Sequence, residues 1–594
     1  MPDFIAVAAF IGLGMLIWDC FEVGRNDAAN LVNAVFGARV MSRRMAVAIA
    51  AVAVVLGATF SAPVMETARK GIFDPTVLTV QMALAIYVSV YFVDTVLLYG
   101  FSGFGMPVST TACLVFELVG ASLFLAGFDN VNWPKVGDVV TAIIMSIVFS
   151  GIAAFLVMRV FRGAVRDRVK DRETILLHGP WISGAIFTWL TWFMVFKGLK
   201  NVALIKAVKE QTFEVYGQLA VLIVVWGAYT LIVHLILTTH LAQRHRKTMP
   251  RRGLWISSAI LTYFAWLIAL KNIEFIQWIK AGISGIHGLF PVLLVAIPIL
   301  LVTWAAFALV VLLVLVTIRH FGHKHLFSVT AVVGMICLAF AFGQNDLANA
   351  ASPGLSGLTL WANGTGPGEL AGRVTNMPIP VWALFGCGAL MACGMFSQYA
   401  QRVTRAAVNT GSQFDHVALY APRWCRWIAR SLLRARPSPA SLAPEPSVSE
   451  TGKKMHFDTL RASVITGVSA SVIALASGAG LPVSTTYVAF AAVLGSGMAD
   501  RVFARGDADR KVGRAIWVVI CWFLAPVIAI VATGCVALMV CHLEIVGLVL
   551  CIALNVAARF VFRWRADAHE RKHHSADEGQ PEQETPQLND DSAP

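Results

Sequence analysis

The residues in this chain best suited to chemistry come in matched sets. Gly-Arg-Asn-Asp-Ala-Ala-Asn at 24–30 recurs as Gly-Gln-Asn-Asp-Leu-Ala-Asn at 343–349, and Gly-Met-Pro-Val-Ser-Thr-Thr at 105–111 recurs as Gly-Leu-Pro-Val-Ser-Thr-Thr at 480–486. In the first pair, Asp27 and Asp346 each have Asn at −1 and +3 (Asn26 and Asn30; Asn345 and Asn349). On a helix terminus or turn this spacing offers carboxylate and amide oxygens to one point. All-oxygen ligation suits a hard cation such as Na⁺, and an Asp can equally take a proton. Small neighbours (Gly24, Ala28, Ala29; Gly343, Ala348, Ala350) let backbones approach and tolerate unwinding.

In the second pair, Pro107 and Pro482 fit the first turn of a new helix, where a missing N–H costs nothing. Ser109, Thr110 and Thr111, with Ser484, Thr485 and Thr486, then occupy that turn. Free N–H groups, the positive end of the helix dipole and three hydroxyls meet there, as a tetrahedral oxyanion requires. One such motif alone reads as an ordinary cap or helix start. Joint recurrence in the same order argues against that.

The elements that position these clusters are membrane helices. The chain has 594 residues, 57% of them hydrophobic and 14% charged, with mean hydropathy +0.71, so it carries more apolar surface than one soluble core buries. Roughly fifteen apolar stretches reach the length needed to cross a bilayer, some of them as half-helices or re-entrant pieces. The first, at 3–23, lacks a basic leader and is expected to be retained. A carboxylate in hydrocarbon costs about 2.5–3.5 kcal/mol, so Asp27 and Asp346 are expected to face a protein interior, a cation or a polar cavity.

The net charge of +13 is spread over runs between the apolar stretches, at 159–172, 244–252, 319–324, 402–436, 501–514 and 563–572. This dispersal speaks against nucleic acid. Under the positive-inside rule the runs share the cytoplasmic side of the inner membrane, because an even number of spans separates each from the next. Counting back gives an extracellular N-terminus and a cytoplasmic C-terminus. The helix before the first Asn-Asp motif then runs inward and the helix at 326–342 outward, an inverted pair with both clusters near the midplane. The expected fold is an all-α polytopic membrane protein of two inverted repeats, at 1–165 and 326–565. An inserted four-helix segment at 166–325, a disordered cytoplasmic loop at about 402–456 and a disordered tail at 566–594 complete it.

Within the insert, Trp-Ile-Ser-Gly-Ala-Ile at 181–186 matches Trp-Ile-Ser-Ser-Ala-Ile at 255–260, with Lys197 and Lys271 at the same offset, as a duplicated helix pair with snorkelling lysines would have. The ten cysteines form no Cys-x-x-Cys pair and read as small apolar residues. His-Glu-Arg-Lys-His at 569–573 satisfies a zinc-protease pattern, but it sits among charges in the expected tail.

Together these residues resemble the inorganic phosphate transporter family, whose inverted repeats carry GANDVANA-like and GLPVSTTH-like motifs. The likeness extends to Met-Glu-Thr-Ala-Arg-Lys-Gly-Ile at 65–72 and to the Ala-Leu-Ala-Ser-Gly-Ala that precedes Gly-Leu-Pro-Val-Ser-Thr-Thr. The resemblance implies that Asp27, Asn30, Asp346 and Asn349 bind the coupling cation. It further implies that Ser109, Thr110, Thr111, Ser484, Thr485 and Thr486, with Asn26 and Asn345, hold phosphate. The chain departs from the family at Arg25 and Gln344, where Ala is usual, and at Ala112 and Tyr487, where His is usual. Arg25 and Gln344 are further candidates for the site, Arg25 by pairing with the anion, Asp27 or Glu22. The acidic residues that many members carry are missing from 45–65 and 459–499.

The function expected is a secondary symporter importing inorganic phosphate with Na⁺ or H⁺ by alternating access, since no nucleotide-binding motif is present. A permease for sulfate or another tetrahedral oxyanion is the alternative; neither is an enzyme, and no cofactor is called for. The partners expected are phosphate and the lipid bilayer, with no nucleic acid and a homodimer as an open option.

Overall fold

The computed structural model describes residues 3–61, 72–73, 78–166, 168–169, 171–194, 225–235, 322–363, 368–371, 380–417, 419–435, 455–504 and 506–577. Residues 65–71, Lys197, Lys271 and the second Trp-Ile-Ser repeat lie outside them. The described helices are α1 (Phe4–Gly37), α2 (Arg43–Ala58), α3 (Val80–Gly103), α4 (Thr110–Ala126), α5 (Trp133–Val165), α6 (Arg172–Thr191), α7 (Gly322–Ala362), α8 (Val381–Met395), α9 (Gln398–Thr410), α10 (Arg423–Ala435), α11 (Thr459–Gly478), α12 (Thr485–Ala499) and α13 (Ala508–Asp577). Short polar caps start most of them: the side chains of Asp3, Ser42, Thr79, Ser109, Asn132, Asp171, Ser397, Asp458 and Ser484 each accept a first-turn N–H.

Helices α1, α3, α5, α7, α11 and α13 are long and apolar enough to cross a membrane, and the chain is a multi-pass membrane protein. Helices α4 and α12 are too short to cross alone, and the apolar α8 and the more polar α9 meet at a 69° bend, as in a broken span or re-entrant loop. Helix α13 is a hairpin: at Glu544 the backbone leaves helical values (φ 47°, ψ −121°). Its outgoing limb lies along α4, with Ile530 against Gly120 and Gly534 against Phe124, and its returning limb lies along α3, with Phe562 beside Gly100 and Ala566 beside Gly103. Both ends of α13 therefore reach one face, where Arg514 donates to the Gly105 carbonyl at 2.7 Å and Phe104 meets His569. Phe149, Phe523, Val527 and Phe560 point outward, as lipid requires.

The central crossings repeat in matched form. Gly24 of α1 is covered by the Met391 carbonyl of α8, and Gly343 of α7 by the Val54 carbonyl of α2; Gly394 meets the Phe21 carbonyl, and Gly57 the Phe340 carbonyl. Gly24 and Gly343, like Phe21 and Phe340, are 319 residues apart. Helices α1 and α7 run in opposite senses, with Phe10 against Trp361 and Leu16 beside Gly354.

Four expectations need correction. Pro107 and Pro482 are not in the first turn of a helix: α4 starts at Thr110 and α12 at Thr485, each capped by the preceding serine, and the prolines lie in the non-helical segments before them. The Asn-Asp motifs lie inside unbroken helices and not at termini, because α1 continues to Gly37 and α7 continues through Pro353 to Ala362. The stretch at 402–456 is helical over α9 and α10, since apolar residues at helical spacing precede its Pro- and Ser-rich core; residues 436–454 lie outside the described residues. The supposed tail continues α13 to Asp577, held by Arg402 on Asp567 at 2.7 Å.

Candidate functional site

On α1 the i, i+3 spacing sets Asp27 and Asn30 on one face, and Asn30 Nδ2 donates to Asp27 Oδ1 at 2.8 Å. On α7 the same spacing gives Asn349 Nδ2 to Asp346 Oδ1 at 3.1 Å. All four side chains are buried. The short helices α4 and α12 start at the Pro-Val-Ser-Thr-Thr motifs, and their threonines cross to the opposite half of the chain. Thr486 Oγ1 donates to Asp27 Oδ1 at 2.5 Å and accepts from Asn30 Nδ2 at 2.9 Å. In the matching place Thr111 Oγ1 accepts from Asn349 Nδ2 at 2.7 Å, while Thr110 Oγ1 donates to Asp346 Oδ1 at 2.9 Å.

Asn26 and Asn345 fix the extended entry strands of these short helices. Asn26 Nδ2 donates to the Val108 carbonyl at 2.6 Å, and Asn345 Nδ2 to the Val483 carbonyl at 2.7 Å. The hydroxyls of Ser102 and Ser477, 375 residues apart, hold the amide oxygens of Asn26 and Asn345. These two serines lie outside the motifs and escaped the sequence reading; a polar residue in an apolar stretch, repeated at the motif offset, was the signal. Ser109 and Ser484 cap their helices by accepting from Ala112 N and Tyr487 N at 3.0 and 3.1 Å, so each keeps one hydroxyl proton to donate. Thr485 is buried at the first position of α12.

Each aspartate keeps an unused oxygen. Asp27 Oδ2, Asp346 Oδ2 and Asn349 Oδ1 are buried and accept no hydrogen bond among the described residues. A desolvated carboxylate oxygen without a donor fits a bound monovalent cation or a proton. The site thus joins acceptor oxygens with hydroxyl donors that those acceptors now engage.

Two candidates fall outside this network. Arg25 turns from Asp27 to Glu22, at 2.9 Å, and stacks over Phe21, Tyr99 and Tyr399. One helical residue cannot face both ways, and Arg25 shares the face of Glu22, one turn earlier. Gln344 Nε2 reaches the Phe60 carbonyl at 3.3 Å, across the α7–α2 crossing. Sequence reasoning named Glu22 of α1 only as a partner for Arg25 and missed the other buried acids around it, Asp19 on α1, Asp94 on α3 and Glu117 on α4. Glu22 is matched by Arg559 of α13 at 2.7 Å, which also donates to the Thr95 carbonyl. In the HERKH stretch, His569 packs between Phe104 and Tyr420, and Glu570 pairs with Arg405 at 3.0 Å.

Comparison with known proteins gives one consistent answer. The profile of the phosphate transporter family matches residues 23–411 and 448–557. A candidate phosphate permease of Thermococcus kodakarensis is 33% identical over 194 residues, which is 32% of this chain and 46% of that protein. One from Pyrococcus horikoshii is 25% identical over 537 residues, covering 90% of this chain and 97% of the relative. Among solved structures, one described as the sodium-dependent phosphate transporter shares the fold with a TM-score of 0.52 at 19% identity, covering 90% of this chain and 98% of its own. The family is one of transporters, not enzymes.

Proposed function

We propose, since this chain belongs to the phosphate transporter family, that it moves inorganic phosphate across its membrane together with a cation, by alternating access of two inverted repeats. The observation that carries this reading is the crossed network, in which each aspartate is held by the threonines of the opposite half. That arrangement supplies a coupling device. While Asp27 and Asp346 are charged and alone, they occupy the hydroxyl protons of Thr486 and Thr110. A cation on the free oxygens Asp27 Oδ2 and Asp346 Oδ2 takes over the carboxylate charge and releases those protons toward an oxyanion. Ser109 and Ser484, at the positive ends of α4 and α12, complete the donor set.

Na⁺ is the coupling ion favoured, given the sodium-dependent neighbour of shared fold and the all-oxygen donor set; H⁺ is the rival. The antiparallel course of α1 and α7 and the matched glycine crossings support the inverted repeats, with repeat one at 1–165, repeat two at 326–565 and the insert between them. The arginine-rich face, carrying Arg162, Arg402 and Arg514, is taken as cytoplasmic.

Proteoliposomes loaded with either gradient test this. An inward Na⁺ gradient should drive concentrative uptake of labelled phosphate, excess sulfate should compete weakly, and Asp27→Asn or Asp346→Asn should abolish accumulation in correctly inserted protein. Parental uptake by either variant, or uptake that follows sulfate equally well, would overturn the assignment.

A further inference from the structure

Helix α10, Arg-Trp-Cys-Arg-Trp-Ile-Ala-Arg-Ser-Leu-Leu-Arg-Ala at 423–435, takes no part in the site. Its Cys425 and Ala429 are buried, on the side by which the helix packs against the first limb of α13. Trp424 meets Trp517 edge-on at 6.0 Å, Arg426 covers Gly513, and Arg430 pairs with Asp509 at 2.9 Å. Trp517 stands about two turns before Phe523, Leu524 and Val527, which are exposed on the outer surface of α13. The Trp424 end of α10 therefore lies where α13 enters the bilayer, a level that tryptophan favours.

The rest of α10 is unusual for a helix in water. Trp427 is 72% exposed and Leu432 56%. Arg423, Arg426, Arg430 and Arg434 recur at helical spacing and form one ridge beside Trp427, with Leu432 on another side of the helix. Only Arg430 has an acidic partner among the described residues; Arg423, Arg426 and Arg434 have none.

We propose that α10 is an anionic-lipid docking element, with Trp424 and Trp427 seated at the bilayer edge and the Arg423–Arg426–Arg434 ridge holding phospholipid headgroups. Charge complementarity favours this occupant, and so does continuity with the lipid-facing surface of α13. The chain's own acidic segment at 578–594 would match the ridge in charge, but Leu588 is its single large apolar residue and could not cover the two tryptophans.

Detergent-solubilised full-length protein, titrated with short-chain phosphatidylglycerol or phosphatidylcholine, gives the test through its melting temperature. Phosphatidylglycerol should raise the parental Tm at concentrations where phosphatidylcholine does not, and 1 M salt should weaken the response. Each arginine near an anionic surface is worth about fivefold in affinity, so R423Q/R426Q/R434Q should shift the midpoint on the order of a hundredfold. If the triple variant does not fold, R434Q alone, at an exposed position in the last turn, should shift it about fivefold. Equal midpoints in parent and variants overturn the proposal. So does a phosphatidylglycerol response that appears only in protein ending at Asp577, which would assign the ridge to the acidic segment.

Discussion

Thr486 and Thr111 each stand where three polar groups of the opposite half meet. Thr486 Oγ1 contacts Asp27, Asn30 and the Val108 carbonyl, and Thr111 Oγ1 contacts Asn349, Asp346 and the Val483 carbonyl. Replacing either by Val keeps the shape and strands buried partners, at about 1–3 kcal/mol for each group left unsatisfied. Thr486→Val and Thr111→Val should therefore both lower the melting temperature and remove phosphate uptake, whereas Thr486→Ser, which keeps the hydroxyl, should retain most of it. Uptake by Thr486→Val at the Ser rate would deny the hydroxyl its role. At this scale the sequence was informative for a physical reason: Asp27, Asn30 and Thr486 are costly in an apolar stretch, so their presence points to a use. The same logic applied to Asp19, Glu22, Asp94 and Glu117 would have found the second buried set. The partner of Glu22, Arg559, lies 537 residues away, and no local pattern announces such a pair. Nor does spacing alone say that Arg25 turns to Glu22 and its aromatic neighbours instead of the anion.

At the scale of elements, the crossings of α1 with α8 and of α7 with α2 depend on absent side chains. A Cβ at Gly24 or Gly343 would overlap the carbonyl of Met391 or Val54, and backbone cannot step aside as a flexible side chain does. Gly24→Ala and Gly343→Ala should each lower the melting temperature and the yield of folded protein, by about 1–3 kcal/mol or more if neither helix shifts. Gly137→Ala, in the exposed part of α5 where a Cβ meets nothing, should be neutral or slightly stabilising. A stable Gly24→Ala protein would mean that the crossing is looser than its geometry. Helix type was legible from the long apolar runs, but starts were less so: Pro107 and Pro482 suggested helices beginning three residues early, where the structure has Ser109 and Ser484 as the caps of α4 and α12. The hairpin of α13 was half legible: the runs at 515–538 and 540–562 read as two spans, yet only His542 and Glu544 mark the turn in an otherwise apolar sequence. Helix α10 was obscured by the Pro- and Ser-rich residues that follow it, although its arginines recur at helical spacing.

For the molecule as a whole, the alternating access proposed above would need the two halves to be tied on one face, and His456 sits where the end of α1 meets the segment before α11. Its backbone N–H and that of Phe457 donate to the Gly37 carbonyl at the end of α1, at 2.9 and 3.3 Å, while its own carbonyl accepts from Gln413 at 2.9 Å. The ring lies 3.0 Å from Ser412 Oγ through Nδ1 and packs on Phe414 at 4.3 Å. Burial, reinforced by the positive charges of Arg39 and Lys511, pushes the imidazole down to about 4 from its usual 6.5. The unfolded chain therefore binds a proton here before the folded one does. The stability this residue contributes is complete above about pH 6.5, declines as pH falls through the interval, and is lost below about 4, a swing of about 3 kcal/mol at most. Melting temperature measured from pH 7.5 to 4.5 should fall more steeply for the parent than for His456→Gln, whose amide can still meet Ser412 but takes no proton. The difference between the two curves should open below pH 6.5 and be absent above it. Parallel curves would show that the imidazole titrates freely and that acid loosens the molecule elsewhere. A curve that diverges as predicted would place a proton-sensitive joint where the end of α1 meets the start of α11, the helix that carries Ser477 to Asn345.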